Sequence, residues 1–242
     1  MTISKVISAL AAGAAMALAA PAYADSITLG SGDIGTSFSL NYDGFSGGTA
    51  IDGLSGSTTF KLTGVSGNNY TVDYSVANTS TSPVTGSRLS SFAFNTDPNI
   101  TSASSTGAFA YTTLSSTYPN GIGTVDVCFK DATTGSCAGG GSGGLLMGES
   151  GTGSFTLSFA APVSALTLSD FYVRYQSISG VHGITSASGS GTMTSTSGGS
   201  TGGSTGGTPV PEPGMLGLFG AGLIGLALSR RNRAAKRQAI AI

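Results

Sequence analysis

The stretch Tyr70-Thr71-Val72-Asp73-Tyr74-Ser75-Val76 puts an apolar side chain at every second residue. A period of two gathers those side chains on one face of a β-strand and scatters them around a helix. The alternation recurs in TSFSLNY (36–42), TTFKLT (58–63), SFAF (91–94), GTVDVCF (123–129) and GSFTLSF (153–159), and in ALTL (165–168) running into FYVRY (171–175). No long 3.6-residue pattern interrupts them. Turn signals fall between the runs, at Gly67-Asn68-Asn69, Thr96-Asp97-Pro98-Asn99 and Pro119-Asn120-Gly121. Many short strands at this spacing predict an all-β fold, an antiparallel β-sandwich of jelly-roll or immunoglobulin-like type. The inward positions are large enough for one hydrophobic core.

Both ends lie outside that pattern. Residues 1–24 carry one charge, Lys5, an Ala-rich apolar run from Val6 to Ala20, and the A-x-A site Ala22-Tyr23-Ala24. They read as a secretory signal peptide cut between Ala24 and Asp25. The alternative, an uncleaved anchor helix, has only this short run ending at Pro21. The ectodomain is expected over 25–188. Residues 189–208 are nearly all Ser, Gly and Thr, and read as a flexible linker with an r.m.s. span of about 25 Å. From Asp25 to Thr208 the bases are Lys61, Arg88, Lys130 and Arg174, against ten acids, a balance of −6. An acidic body argues against nucleic acid as a partner, because phosphate contacts need clustered Lys and Arg.

The basic residues gather instead at the far end, as Arg230, Arg231, Arg233, Lys236 and Arg237. Before them stands Pro209-Val210-Pro211-Glu212-Pro213, which cannot propagate a helix. Gly214 to Ser229 is uniformly apolar, and Pro213 to Ser229 is 17 residues, the short limit for a transmembrane helix. Arginines directly after it hold that end in the cytoplasm, which agrees with a body exported by the signal peptide. The order of motif, helix and basic stop resembles the PEP-CTERM sorting signal of Gram-negative bacteria, over residues 209–234, with 235–242 as a cytoplasmic tail. The resemblance implies recognition of Val210, Pro211, Glu212 and Pro213 by an exosortase, a membrane transpeptidase. It also implies Arg230, Arg231 and Arg233 as the basic stop, and delivery to the cell surface. It further implies an association with exopolysaccharide and biofilm matrix. SSFAFNTDPNI, NGIGTVDVCFKD and LTLSDFYVRYQSI, with the cysteine pair, resemble the cistern-type subset. An ordinary C-terminal anchor helix is the alternative.

The chemical inventory of the body is thin. Cys128 and Cys137, close together in an exported chain, suggest a disulfide worth about 2–3 kcal/mol. A redox pair or metal site is the rival, but the spacing is not C-x-x-C and one histidine cannot complete a zinc set. That histidine, His182, would have to serve any Ser-His-Asp site, and no G-x-S-x-G elbow is present. Glu149 with Asp126, Asp131 or Asp170 could pair as in a glycosidase, although a solvated strand face explains Asp126. Asn41, Asp43, Asn95, Asp97 and Asn99 could hold calcium, or simply make turns. The glycine run from Ala138 to Gly144 lacks the G-K-[ST] of a phosphate loop. Tyr42, Phe45, Tyr70 and Tyr74 alternate in strands, as core residues do, whereas Tyr111 and Tyr118 lie in an apparent loop and could stack on sugars. The expectation is a non-catalytic surface or matrix protein without a cofactor. A carbohydrate-binding module is the alternative, and a secreted hydrolase a remote one.

Overall fold

The computed structural model describes residues 25–133, 137 and 143–197. Twelve strands account for most of them: β1 (Ser26–Leu29), β2 (Ser37–Ser46), β3 (Thr49–Ser66), β4 (Asn69–Asn78), β5 (Gly86–Asp97), β6 (Ser102–Gly107), β7 (Tyr111–Tyr118), β8 (Gly123–Lys130), β9 (Leu145–Leu146), β10 (Ser150–Ser158), β11 (Leu166–Ser179) and β12 (Ser186–Ser197). Among the described residues, all strand pairs are antiparallel. The order is β6-β10-β4-β3-β2-β12-β11-β5-β8-β7, with β1 beside β11 and β9 beside β5.

That single path rolls back on itself. Its two outermost strands meet where Thr112 Oγ1 donates to the Ala103 carbonyl (3.2 Å). The inner faces close over a cluster of rings that joins the two layers: Phe129 on β8 lies 4.6 Å from Phe155 on β10, and Tyr74 on β4 lies 5.1 Å from Phe92 on β5. The fold is therefore all-β and antiparallel, as the alternation predicts. It is a nearly closed, flattened barrel, with its layers joined where an immunoglobulin sandwich has two separate sheets. Gly47 and Gly48, both at positive φ, make the two-residue turn between β2 and β3. Gly67-Asn68 makes the one between β3 and β4.

Two expectations are corrected. Residues 111–118 form β7, not a loop, and Tyr118 is 1% exposed. The expected linker from 189 is strand as far as Ser197; residues 198–208 lie outside the described residues. The Gly/Ser composition of β12 misleads because its inward positions, Ala187, Gly189 and Gly191, lie under large side chains from neighbouring strands. A Cβ on Gly189 would stand 2.8 Å from Val173 Cγ2, and one on Gly191 would stand 2.8 Å from Tyr42 Cε1. Glycine here makes room for the core of its neighbours.

The outside of the barrel is of two kinds. Across β12, β2, β3, β4, β10 and β6 the outward residues are mostly Ser and Thr, in rows such as Ser197–Ser37–Lys61–Asp73–Ser154–Thr106. Across β11, β5 and β8 the outward face is covered. From Leu89 to Phe94, β5 is buried on both faces. The β7–β8 hairpin leaves β5 after the Phe94–Val127 pair, and its tip reaches the residues of β11 and β12. At the crease, side chains replace the ladder. Asp126 accepts from the Thr96 N–H (2.8 Å), Asn95 Oδ1 accepts from the Asp126 N–H (3.0 Å), and Asn95 Nδ2 donates to Asp170 (3.0 Å). Ser115 and Asp170, both at positive φ, supply the bends in β7 and β11.

Candidate functional site

The covered face holds the cysteine pair. Cys128, opposite Ala93 on β5, is joined to Cys137 with Cα atoms 6.0 Å apart. Cys137 is pinned twice more: its N–H donates to Ser116 Oγ (3.1 Å), and its carbonyl accepts from Ser91 Oγ (3.2 Å). Ala93, Tyr118, Val125 and the two cysteines form a small second core, with Ile122 and Tyr172 against it. Burial pushes the Tyr118 phenol far above its usual range, against the opposing hydrogen bond with Ser91 (3.2 Å).

Asn120, at the tip of the hairpin, fastens that layer down. Its carbonyl oxygen accepts from the Ser188 N–H (2.9 Å) and from the Arg174 guanidinium (3.2 Å). Arg174 on β11 and Lys130 on β8 flank Ser91 in one row and are both buried, and Arg88 lies on β5 opposite Gln176 on β11. Three of the four bases of the exported body thus stand on β5, β8 and β11. Burial lowers the Arg174 pKa, and it raises that of the Asp131 carboxyl.

The other candidates do not converge. His182 is exposed in the loop between β11 and β12, and the Glu149 carboxylate is bonded to the Leu146 N–H (2.8 Å) as a turn brace. Asn41 and Asp43 lie on the bare face of β2, and Asp97 and Asn99 are exposed at the far end of β5. Asn95 is committed to the crease. Asp126, expected on a solvated face, is half-buried there for the same reason. Among the described residues no group of three or more His, Cys, Asp and Glu side chains is placed to hold a metal ion. An open hollow of about 400 Å³ between Pro98 and the Phe159–Ala165 loop has no titratable side chain in its lining.

The aromatic surface expected for sugars is mostly core. Tyr118 belongs to the small core with Cys137, and the hydroxyls of Tyr42, Tyr70 and Tyr74 are bonded to Thr58 (3.0 Å), the Val163 carbonyl (2.9 Å) and the Thr106 carbonyl (2.7 Å). Tyr111, the other residue expected to stack on sugars, stands exposed, at 42%.

Three anchoring residues carry no signal in the sequence. Asn120 reads there as a turn residue, and Asn78 stands in no turn signal. Yet Asn78 is 1% exposed and donates to the Ser87 (3.3 Å) and Leu145 (3.0 Å) carbonyls while accepting from Ser80 Oγ (2.7 Å). The carboxylate of Asp25 accepts from the Met193 N–H, joining the first described residue to β12.

Ala24, Val210 to Pro213, Arg230, Arg231, Arg233 and the apolar run 214–229 lie outside the described residues. Among those described, no helix is long and apolar enough to cross a membrane. The PEP-CTERM protein-sorting motif matches residues 209–231. It implies export, membrane-associated sorting and an exosortase as the processing partner. No curated protein and no solved structure matches the chain.

Proposed function

We propose that this chain is a non-catalytic surface protein of a Gram-negative bacterium, exported through its signal peptide, cut by an exosortase within 209–214 and displayed as a folded β-barrel in an exopolysaccharide-bearing matrix. The observation that carries this reading is the sorting motif over 209–231, directly behind a compact exported body. Among the described residues His182 stands exposed in a loop and the Glu149 carboxylate braces a turn, placements that fit the non-catalytic part. The bare face, lined mostly by Ser and Thr hydroxyls, supports a role in a hydrated matrix. The likeness of three segments to the cistern-type subset belongs to this reading too.

Intact-mass spectrometry of protein recovered from the cell surface tests it. The expected mass starts at Asp25, ends between Pro209 and Gly214, and lacks two hydrogens for the disulfide. A mass running through to Ile242 overturns the sorting step. A separate arm measures retention on the host's own exopolysaccharide, and free passage through that matrix removes the matrix role.

A further inference from the structure

Three segments of the chain read N-x-S/T, the pattern that accepts a glycan on the asparagine amide: Asn69-Tyr70-Thr71, Asn78-Thr79-Ser80 and Asn99-Ile100-Thr101. The pattern alone prefers none of them. The fold separates them. Asn78 is 1% exposed, and its amide nitrogen is spent on the Ser87 and Leu145 carbonyls. Asn69 is half-buried inside the ladder, opposite Ser158 on one side and Ser66 on the other, and its Oδ1 accepts from Ser158 Oγ (2.6 Å). A transferase would have to part β4 from its neighbours to reach either amide.

Asn99 stands differently. It lies in the four-residue link 98–101 between β5 and β6, and it is exposed. Its amide enters no hydrogen bond among the described residues. The link is held by its other members: Ile100 packs against the core, and the Thr101 N–H donates to the Ser158 carbonyl (2.9 Å). The Thr101 hydroxyl is exposed too, donating to the same carbonyl (2.8 Å). Both working parts of the motif, the amide and the hydroxyl two residues on, therefore reach solvent. Beside Asn99 runs the open hollow lined by Pro98, Ala160, Ala161 and Pro162, with no titratable side chain in it. A bulky neutral group on Asn99 displaces no ion pair there, and the C–H face of a sugar covers exposed alanine and proline surface.

We infer that Asn99 is a glycan attachment site, the one N-x-S/T asparagine that the folded barrel leaves open to a transferase. The donor class is a glycosyl ester of a diphosphate, carried by a polyprenol or by a nucleotide. Asn99 Nδ2 attacks C1 of the sugar. The Nδ2–C1 bond forms as the C1–O bond to phosphate breaks, the diphosphate leaves with the electron pair, and one amide proton passes to a base of the transferase. None of this depends on a cut by an exosortase.

The test takes the protein from the surface of its native host, reduces it and digests it with trypsin, which cuts after Lys61, Arg88 and Lys130. Fragment 62–88 then carries Asn69 and Asn78, and fragment 89–130 carries Asn99 as its one N-x-S/T asparagine. The expected result is 89–130 heavier by a glycan, with sugar oxonium ions in its spectrum and the added mass on Asn99, and 62–88 at its plain mass. Asn99→Gln and Thr101→Val lose the added mass completely, whereas Thr101→Ser keeps it. A block of several sugars on the exported chain alone identifies the polyprenol donor. A single sugar, present also on chain kept in the cytoplasm by deletion of residues 2–20, identifies the nucleotide donor.

A plain 89–130 fragment from the wild-type protein overturns the inference. So does added mass that persists in Asn99→Gln, or a glycan on Asn69 or Asn78 in its place. A chain that carries the glycan on Asn99 but runs through to Ile242 leaves the site standing and brings down the sorting reading alone.

Discussion

The two outer faces of the barrel are built from similar strands and do different things. On the bare face cross-strand hydroxyl pairs such as Ser39–Thr59 (2.8 Å) and Thr106–Ser154 (3.2 Å) meet water, and register shifts at Asp43/Phe45, Leu62/Gly64 and Met193/Ser195 leave the large apolar side chains inside. On the covered face β5 is buried on both sides, the β7–β8 hairpin bends over it, and a disulfide, two buried cations and one asparagine hold the cover in place. Among the described residues the four non-glycine residues at positive φ, Ser115, Asn120, Asp170 and Ser177, belong to β7, that hairpin or β11. Strand pairing and alternation produce the first face. The second needs backbone strain and specific polar contacts, so mutations should separate the two sharply.

The largest effect is expected at Tyr118. Truncation to Ala empties the small second core and should cost about 3–5 kcal/mol in urea unfolding. Thr59→Ala on the bare face should stay within about 0.5 kcal/mol. Similar losses at the two sites would abolish the distinction between the faces. Replacing both cysteines by Ala should cost about 2–3 kcal/mol, since the bridge closes a short loop, and should speed hydrogen exchange at the Ser116 and Ser91 positions while leaving β3 and β4 protected. Asn120→Ala should cost about 1–2 kcal/mol, because it strands the buried Ser188 N–H and removes a partner of Arg174. Its signature is faster exchange at Ser188.

The smallest expected effect depends on pH. Burial raises the Asp131 carboxyl pKa, opposed by its own backbone hydrogen bond and by Arg88 and Lys130. A carboxyl whose folded pKa exceeds the unfolded value binds its proton more tightly when folded, so its contribution favours the fold at low pH and is lost as pH rises through the folded value. Asp131→Asn should therefore stabilise the protein at neutral pH by a few tenths of a kcal/mol, the carboxyl being half-exposed. The gain should vanish toward about pH 3. A gain that grows on acidification would show that Asp131 favours the fold in its charged form.

Much of the bare face could be read in advance. YTVDYSV and TTFKLT each name their buried and exposed sides, because a two-residue period leaves only one register with the apolar side chains inside. The covered face could not. SSFAF looks like an ordinary alternating strand until a second layer buries Ser91 and Ala93 as deeply as Phe92. Tyr118 looked like a loop residue because YTTLSSTY is mostly Ser and Thr, and its cover is supplied by Cys137, far along the chain. Residues 189–197 read as linker because an inward glycine has no signal of its own; Tyr42 and Phe171 supply the side chains that make them part of a strand.

The sequence by itself determined what local order and composition can encode. That includes the all-β class from alternation, the turns at Gly67-Asn68 and Pro119-Asn120-Gly121, the cysteine pair, and the sorting motif with its apolar run and arginines, which works as a linear signal. Tertiary structure alone decided what depends on residues distant in the chain. That includes the closing of one sheet on itself, the second layer over β5, the crease held by Asn95 and Asp126, and the docking of β12 between β2 and β11. Each is a contact between segments that carry no mark of one another, and only the packed core fixes which of them meet.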